Sequence, residues 1–246
     1  MAPEHNAMIE GSKQGRQAFV DHILMQQDPG YTEVLKNNKK VLTQKRALLK
    51  QEPYKAYLDH ALVWHQQNHA LTEIIRRQRK HFLVQTESIF AQTYQEVSQK
   101  NSVLQISYVQ NNDHAPLGEA LLRQEYYAKR VLYGAQRDDL DIQLEARPTQ
   151  KHASQGEKAT ILLSMKWAEL LILQKHDKAP IFLLDDIGTT LDQTRRQQLF
   201  VKLQNMSCQT LISTCDPYIQ QEIVTQQPNI KNFTYSPDQK HWQSLA

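Results

Sequence analysis

The sequence predicts an α/β chain: a helical first part joined to a mostly parallel sheet covered by helices. Three observations predict it. Apolar residues keep helical spacing through the first hundred positions, the spacing changes to alternation near Asn101, and helices alternate with short apolar runs beyond Ser154. From Thr32 to Gln51 the pairs Val34/Leu35, Val41/Leu42 and Leu48/Leu49 recur at heptad spacing, with Lys36, Lys39, Lys40, Lys45 and Arg46 between them. This pattern makes one helix with a single apolar stripe. After Glu52-Pro53, Leu58, Leu62, Leu71, Ile75 and Phe82 keep the same spacing, and Ile89, Phe90, Tyr94 and Val97 continue it towards Asn101. Such helices suit a small antiparallel bundle or arm, and the heptad stretch is too short for a long coiled coil.

Leu104, Ile106 and Tyr108 then alternate with polar residues, as do Leu140, Ile142 and Leu144 after a helical stretch from Leu117 to Leu132, so both read as strands. Beyond Ser154 the order is a helix over Gly156–Leu173, an apolar strand Ile181–Leu184, a helix Thr194–Gln204, a strand Thr210–Ser213, a shorter helix and a last strand near Phe233. Continuous apolar strands between helices predict a parallel sheet buried on both faces. The domain boundary is expected near Asn101, with residues 1–102 as a helical arm and 103–246 as the sheet-bearing domain.

At 246 residues, 40% hydrophobic and 22% charged, the composition is that of a soluble globular protein. Lys plus Arg is 29 against 26 for Asp plus Glu, a net charge of +3, which excludes a histone-like role and leaves any nucleic-acid surface to local clustering. No apolar run exceeds four residues, and one of these, Ile181–Leu184, ends in two aspartates, so no membrane span or signal segment is expected and the chain is placed in the cytoplasm. Cys208 and Cys215 fit neither a zinc knuckle nor a redox pair and are expected as free core thiols.

Two stretches carry chemistry. Ile181-Phe182-Leu183-Leu184-Asp185-Asp186 puts two carboxylates at the C-terminal end of a strand, where open α/β sheets place their ligands. This is a Walker B pattern, in which Asp185 would hold Mg²⁺ and Asp186 would orient or deprotonate the attacking water. The plain alternative is a strand that ends in two solvated acids. Ser154-Gln155-Gly156-Glu157 opens a helix, and Ser-x-x-Glu is a capping box. The same geometry also suits an anion, because backbone amides and the helix dipole can meet a γ-phosphate there. Taken in order, Ser-Gln-Gly-Glu, a helix, Walker B, Thr190-Leu191-Asp192 and a strand ending Ser213-Thr214 follow the second half of an ABC-type ATPase head.

Further residues extend that likeness: Gly11-Ser12 with Arg16 to Asp21, Gln44 to Lys50, and Gly134 with Arg137-Asp138-Asp139-Leu140. On these residues the chain resembles the RecF family of bacterial recombination-repair ATPases, of the ABC/SMC/Rad50 class, over the C-terminal two-thirds of the family's length. The resemblance implies that Ser154, Gln155, Gly156 and Glu157 form the signature motif facing ATP. It also implies that Asp185 is the Mg²⁺ ligand, Asp186 the catalytic acid, Asp192 a D-loop residue and Thr214 the switch residue. It implies a role in DNA replication, recombination and repair and the SOS response, with binding to DNA at single-strand gaps and double-strand/single-strand junctions. The implied partners are a second copy of the chain, joined in an ATP-dependent dimer, and RecO and RecR, with which the family loads RecA.

The departures from the family matter equally. None of the 7 glycines is followed by lysine, so these residues contain no P-loop to cradle the β- and γ-phosphates. Ala135-Gln136 stands where the family usually has Pro-His, and Thr190 where it has Glu. The expectation is that the Walker A lobe has been left off. ATP and Mg²⁺ would then bind only with such a lobe supplied by another chain or by a missing segment, and this polypeptide alone would not hydrolyse ATP. The alternative is a non-enzymatic DNA- or partner-binding module. An SMC-like or OLD-like fragment is a weaker third reading, since those families lack Arg-Asp-Asp-Leu in this place.

Arg76, Arg77, Arg79 and Lys80, together with the lysines from Lys36 to Lys50, are the best basic patches and read as DNA phosphate contacts or as solvated helix faces. His65 and His69 stand four apart without a third ligand and are expected on a solvated face. Trp64, Trp167 and Trp242 are expected in a core or interface. No Ser-His-Asp or Cys-His arrangement is legible.

Overall fold

The computed structural model describes residues 8–50, 54–111, 118–175, 180–185, 193–204, 208–226, 231–236 and 241–245. They fall into two compact units, divided at His176/Asp177. The 102/103 position lies inside the first of them.

The first unit contains α1 (Lys13–Gln27), α2 (Pro29–Leu48), α3 (Tyr54–Ser98), β1 (Leu104–Val109), α4 (Glu119–Ala128), a 3₁₀ turn (Ala135–Arg137), β2 (Asp139–Leu144), β3 (Arg147–Pro148), α5 (Thr149–His152) and α6 (Gln155–Gln174). The start of α2 is set by Pro29 and by the Asp28 side chain, which accepts from the Gly30 amide at 2.8 Å. The buried stripe of α3 includes Tyr57, Ala61, Ile75, Phe82, Phe90 and Tyr94; from Ile75 on it keeps the period read from the sequence, whereas at the helix start it falls one residue earlier than read, with Leu58 half-buried and Leu62 exposed. α3 packs against α2, β1 and α6.

β1 and β2 pair antiparallel in the register Leu104↔Leu144, Ile106↔Ile142 and Tyr108↔Leu140, which sets both alternating apolar series on one face. This sheet is antiparallel, a direction that the sequence reading of these two strands left open. An alternating pattern belongs to a sheet packed on one side, whereas parallel strands need continuous apolar runs. The turn between β2 and β3 holds Glu145 and Ala146 at φ 51° and 58°, the double positive-φ geometry of a two-residue hairpin turn. Glu145 is fixed there by accepting the Val103 amide at 2.7 Å.

Three arginine–carboxylate pairs bind these elements together. Asp138, with no exposed surface, accepts from Arg76 Nε at 2.8 Å and Nη2 at 3.0 Å, from the Tyr108 hydroxyl and from the Asn111 amide at 2.9 Å. Asp21 accepts from Arg79 Nε at 2.8 Å and Nη2 at 2.7 Å and from the Tyr31 hydroxyl at 2.6 Å, while Arg79 Nη1 reaches the Ala135 carbonyl at 3.1 Å. Asp139 accepts from Arg16 at 2.8 and 2.9 Å. Burial, then the adjacent carboxylate, pushes the Tyr31 and Tyr108 phenols up, so both remain hydrogen-bond donors. A fourth pair, Lys45 with Glu125 at 2.9 Å, ties α2 to α4 at 2% and 0% exposure.

The second unit contains β4 (Ile181–Leu184), α7 (Gln193–Gln204), β5 (Gln209–Ile212), α8 (Pro217–Gln226), β6 (Asn232–Ser236) and β7 (His241–Leu245). β4 and β5 pair in parallel, with Leu183 opposite Leu211 and Leu184 opposite Ile212, and β6 and β7 pair antiparallel. β4 differs from the expectation of burial on both faces. Phe182 and Leu184 are buried, but Ile181 is 58% and Leu183 67% exposed, because among the described residues one face of this two-stranded sheet is left uncovered. Both cysteines are free, yet neither is a core thiol, since Cys208 is half-buried and Cys215 exposed in the segments flanking β5. No described helix is long and apolar enough to cross a membrane.

Asp138→Ala would strand Arg76 as an uncompensated buried cation, so it is expected to cost about 3–5 kcal/mol in urea unfolding. Asp141→Ala, at a half-exposed position on β2, the strand that Asp138 precedes, is expected to change stability by no more than ~0.5 kcal/mol.

Candidate functional site

The signature tetrapeptide sits at the N-terminus of α6, and the capping box is formed. The Ser154 amide donates to Glu157 Oε2 at 2.9 Å and the Ser154 hydroxyl donates to the same oxygen at 2.8 Å, while the Glu157 amide donates to Ser154 Oγ at 3.3 Å. The Ser154 backbone bond first, then its hydroxyl, holds the Glu157 carboxyl below the usual range. The cap therefore takes up the Ser154 and Glu157 amides and leaves those of Gln155 and Gly156 for an anion. Glu10 accepts from Lys158 Nζ at 2.9 Å and Gln155 Nε2 at 3.0 Å, and the Lys158 bond leads the lowering of its carboxyl. Beside this turn lies a pocket of about 490 Å³ lined by Arg147, Thr149, His152 and Glu157, among others.

In the second unit, Asp185 is exposed at the carboxyl end of β4, and the Ser213 hydroxyl at the end of β5 donates to its Oδ1. The Ser213 amide donates to the Leu184 carbonyl at 2.9 Å, which holds the two strand ends together. A carboxylate and a hydroxyl at this edge form an all-oxygen donor pair that fits a Mg²⁺ ion, which also takes water and phosphate oxygens. Thr214, expected as the switch residue, uses its hydroxyl to accept the Asp216 amide at 3.1 Å, and Asp216 in turn accepts the Tyr218 amide at the start of α8. Ser213 is thus the hydroxyl that meets the acid. Its sequence signal was its place as the residue following an apolar strand. Asp186, Thr190, Leu191 and Asp192 lie outside the described residues.

The basic run divides by helical phase. Arg76 and Arg79 are 5% and 3% exposed and committed to Asp138 and Asp21, so they are not phosphate contacts, contrary to the sequence reading. Ile75, Arg76, Arg79, Phe82 and Leu83 form one buried stripe of α3, and Arg77 and Lys80 fall on the exposed side. Lys80 donates to Gln110 Oε1 at 2.9 Å and lies 5.9 Å from the Tyr108 ring centroid. On α2, Lys36, Lys39, Lys40 and Arg46 are exposed, whereas Lys45 is buried.

The histidines also differ from the sequence reading. His65 is 4% exposed, and burial, then Lys45, holds its imidazole down at about 4, while His69 stacks on Tyr133 at 5.7 Å. Neither makes a solvated face, and among the described residues no group of three His, Cys, Asp or Glu could hold a metal. Trp167 is buried and Trp64 packs against the Leu48–Leu49–Tyr57 cluster, as expected; the Trp242 side chain lies outside the description.

No family model matches the chain. The DNA replication and repair protein RecF of Thermosynechococcus vestitus is 33% identical over 228 residues, covering 84% of this chain and 58% of RecF. The chain is similar to RecF. A RecF–ATP structure, of the recombination mediator protein in the RecFOR pathway, gives a TM-score of 0.76 at 20% identity and covers 100% of this chain and 66% of that one. The Smc head domain with an extended coiled coil from Pyrococcus furiosus gives 0.51 at 15% identity, covering 98% and 60%. The fold is therefore the α/β ABC-ATPase-head type that the motif order predicts. The chain spans 55–61% of the length of the RecF relatives it matches, as fits their C-terminal portion.

Ser154→Ala is expected to cost about 1 kcal/mol of stability in chemical unfolding. Because the folded Glu157 carboxyl lies below its unfolded value, its contribution is present above the usual carboxylate range and is lost as pH falls through the lowered value. A pH series of unfolding midpoints checks this, and Glu157→Gln should flatten that part of the profile.

Proposed function

We propose that this chain is a RecF-like recombination and repair protein. In this reading residues 1–102 serve as an arm and 103–246 as the C-terminal part of an ATPase head. The observation that carries the reading is the RecF-like order of motifs together with a signature turn whose Gln155 and Gly156 amides are not used by the cap. These amides would face the γ-phosphate of ATP held on a P-loop from another chain, with the helix dipole adding to the attraction. Asp185 and Ser213 would hold Mg²⁺, which supplies charge neutralisation on the phosphates, and Asp186 would orient the attacking water. Asp192 and Thr214 would serve as D-loop and switch residues.

ATP-dependent joining of two such heads would present the chain to DNA at single-strand gaps and junctions in the cytoplasm. RecO and RecR would be its partners in loading RecA. Arg77 and Lys80 are the exposed cations of the basic run and would meet DNA phosphates, as would the exposed α2 lysines of the same unit. Without a Walker A lobe the same surfaces would make a DNA- or partner-binding module and no more.

The purified polypeptide is expected to show no Mg²⁺-dependent ATP hydrolysis above background, measured by phosphate release. Turnover that disappears in Asp186→Asn would contradict the reading. Charge reversal at Arg77 and Lys80 is expected to weaken duplex binding and to reduce the slope of log K against log[salt] by about 1.8, at roughly 0.9 per phosphate contact.

A further inference from the structure

The end of the first unit where the α2 C-terminus, the α3 N-terminus and the α4 C-terminus meet carries a cluster of four tyrosines. Tyr126 is buried in the core formed with Leu48, Leu49, Tyr57, Ala61 and Leu122. Tyr54 packs on that core and meets the Tyr126 ring edge-on at 5.0 Å. Tyr127 stacks on Tyr54, with centroids 6.3 Å apart and planes 18° apart, and stands edge-on to Tyr126 at 5.6 Å. Tyr127 is nevertheless 68% exposed. A large aromatic side chain held by two ring contacts and left open to solvent is a pre-built stacking surface, since little side-chain freedom remains to be lost when a flat ligand covers it.

The charge around it has one dominant sign. Arg123, Lys129 and Arg130 are exposed on or just beyond α4, and Lys50 and Lys55 are exposed beside Leu49 and Tyr54. Lys129 adopts the left-handed conformation at φ 49°, which ends α4, and its ammonium lies 4.0 Å from the Tyr126 ring centroid. Among the described residues Glu119 is the acid that acts on Tyr54, Asp59 is exposed one turn along α3 from Lys55, and Glu125 is buried against Lys45, so the exposed cations outnumber the exposed acids. Stacked aromatics ringed by cations form the platform that single strands use: the bases cover the rings and the phosphates meet the cations.

We infer that this tyrosine tip binds single-stranded nucleic acid, with a base stacked on Tyr127 and the backbone held by Lys129, Arg130 and their neighbours. The inference rests on the reading of the chain as a DNA-binding protein and adds to it a second contact, separate from the phosphate contacts of Arg77 and Lys80. An acidic peptide would use the cations but gain nothing from the open ring.

The test is fluorescence anisotropy of the full chain with a labelled oligodeoxythymidine and, separately, with a duplex. Tyr127→Ala, at an exposed position that should leave the fold intact, is expected to weaken single-strand binding by at least about five-fold, while Tyr127→Phe keeps it and duplex binding is unchanged. Replacing Lys129 and Arg130 by Gln is expected to lower the single-strand salt slope by about 1.4. Single-strand binding by the wild type that is unaffected by Tyr127→Ala overturns the inference, as does a wild type that binds the duplex only. Polyglutamate bound as tightly as the oligonucleotide, and insensitive to Tyr127→Ala, overturns it in favour of an acidic protein partner. A wild type that binds neither nucleic acid overturns the DNA-binding reading as well.

Discussion

The first unit depends on Asp138. Its carboxylate is fully buried and meets a guanidinium, a phenol and a backbone amide, so a charge that would be costly to bury is balanced on every side. The partners come from α3, β1 and the segment just after β1, and the acid itself precedes β2. Asp21 with Arg79 and Asp139 with Arg16 repeat the device and bring α1 to the same place. Buried ion pairs of this kind add little net stability over apolar packing, but they reject other registers, because a slip by one residue would leave charges unpaired. The strands, the strained Glu145–Ala146 turn and α6 follow directly in the chain. The position of the signature turn within this unit is thus tied to how Asp138 is held.

The same electrostatics divides structural charge from available charge. Arg76, Arg79, Lys45 and Glu125 are spent inside the fold, whereas Arg77, Lys80, the α2 lysines and the cations around Tyr127 remain at the surface. A basic run on a helix is therefore two populations interleaved by phase. The buried members fix the helix to α1 and to the segment that leads into β2, and the exposed members are those that a polyanion can reach. Tyr127 has the same dual character: its neighbours Tyr54 and Tyr126 belong to the core, while its own ring is presented outward.

Much of the fold was legible because the two periods, 3.6 and 2, are strong in this sequence. α2, α3, α6, β4 and the pairing partners β1 and β2 lie within a few residues of the positions their patterns predict. The direction of the β1–β2 pairing was readable too, since Leu104/Ile106/Tyr108 and Leu140/Ile142/Leu144 alternate as one-sided strands do. Arg76 and Arg79 were misplaced because charge usually marks the solvent side of a helix, and no single-sequence pattern shows that their carboxylates arrive from residues 62 and 58 positions away. His65 was misplaced for the same reason. The tyrosine tip was hidden because its rings come from two helices far apart in the chain, and neither pair points to the other. The signature turn was readable as both a cap and an anion site. The two are compatible, because the cap consumes the Ser154 and Glu157 amides and spares Gln155 and Gly156.

That compatibility makes the account testable where it matters most, at the signature turn acting on nucleotide held by another polypeptide. The direct measurement is analytical ultracentrifugation of this chain mixed with a separately expressed P-loop lobe of a RecF relative, with and without a slowly hydrolysed ATP analogue and Mg²⁺. The account predicts a nucleotide-dependent complex that is lost when Ser154→Arg fills the space over the Gln155 and Gly156 amides. A complex that forms equally well without nucleotide, or that is indifferent to Ser154→Arg, would contradict it.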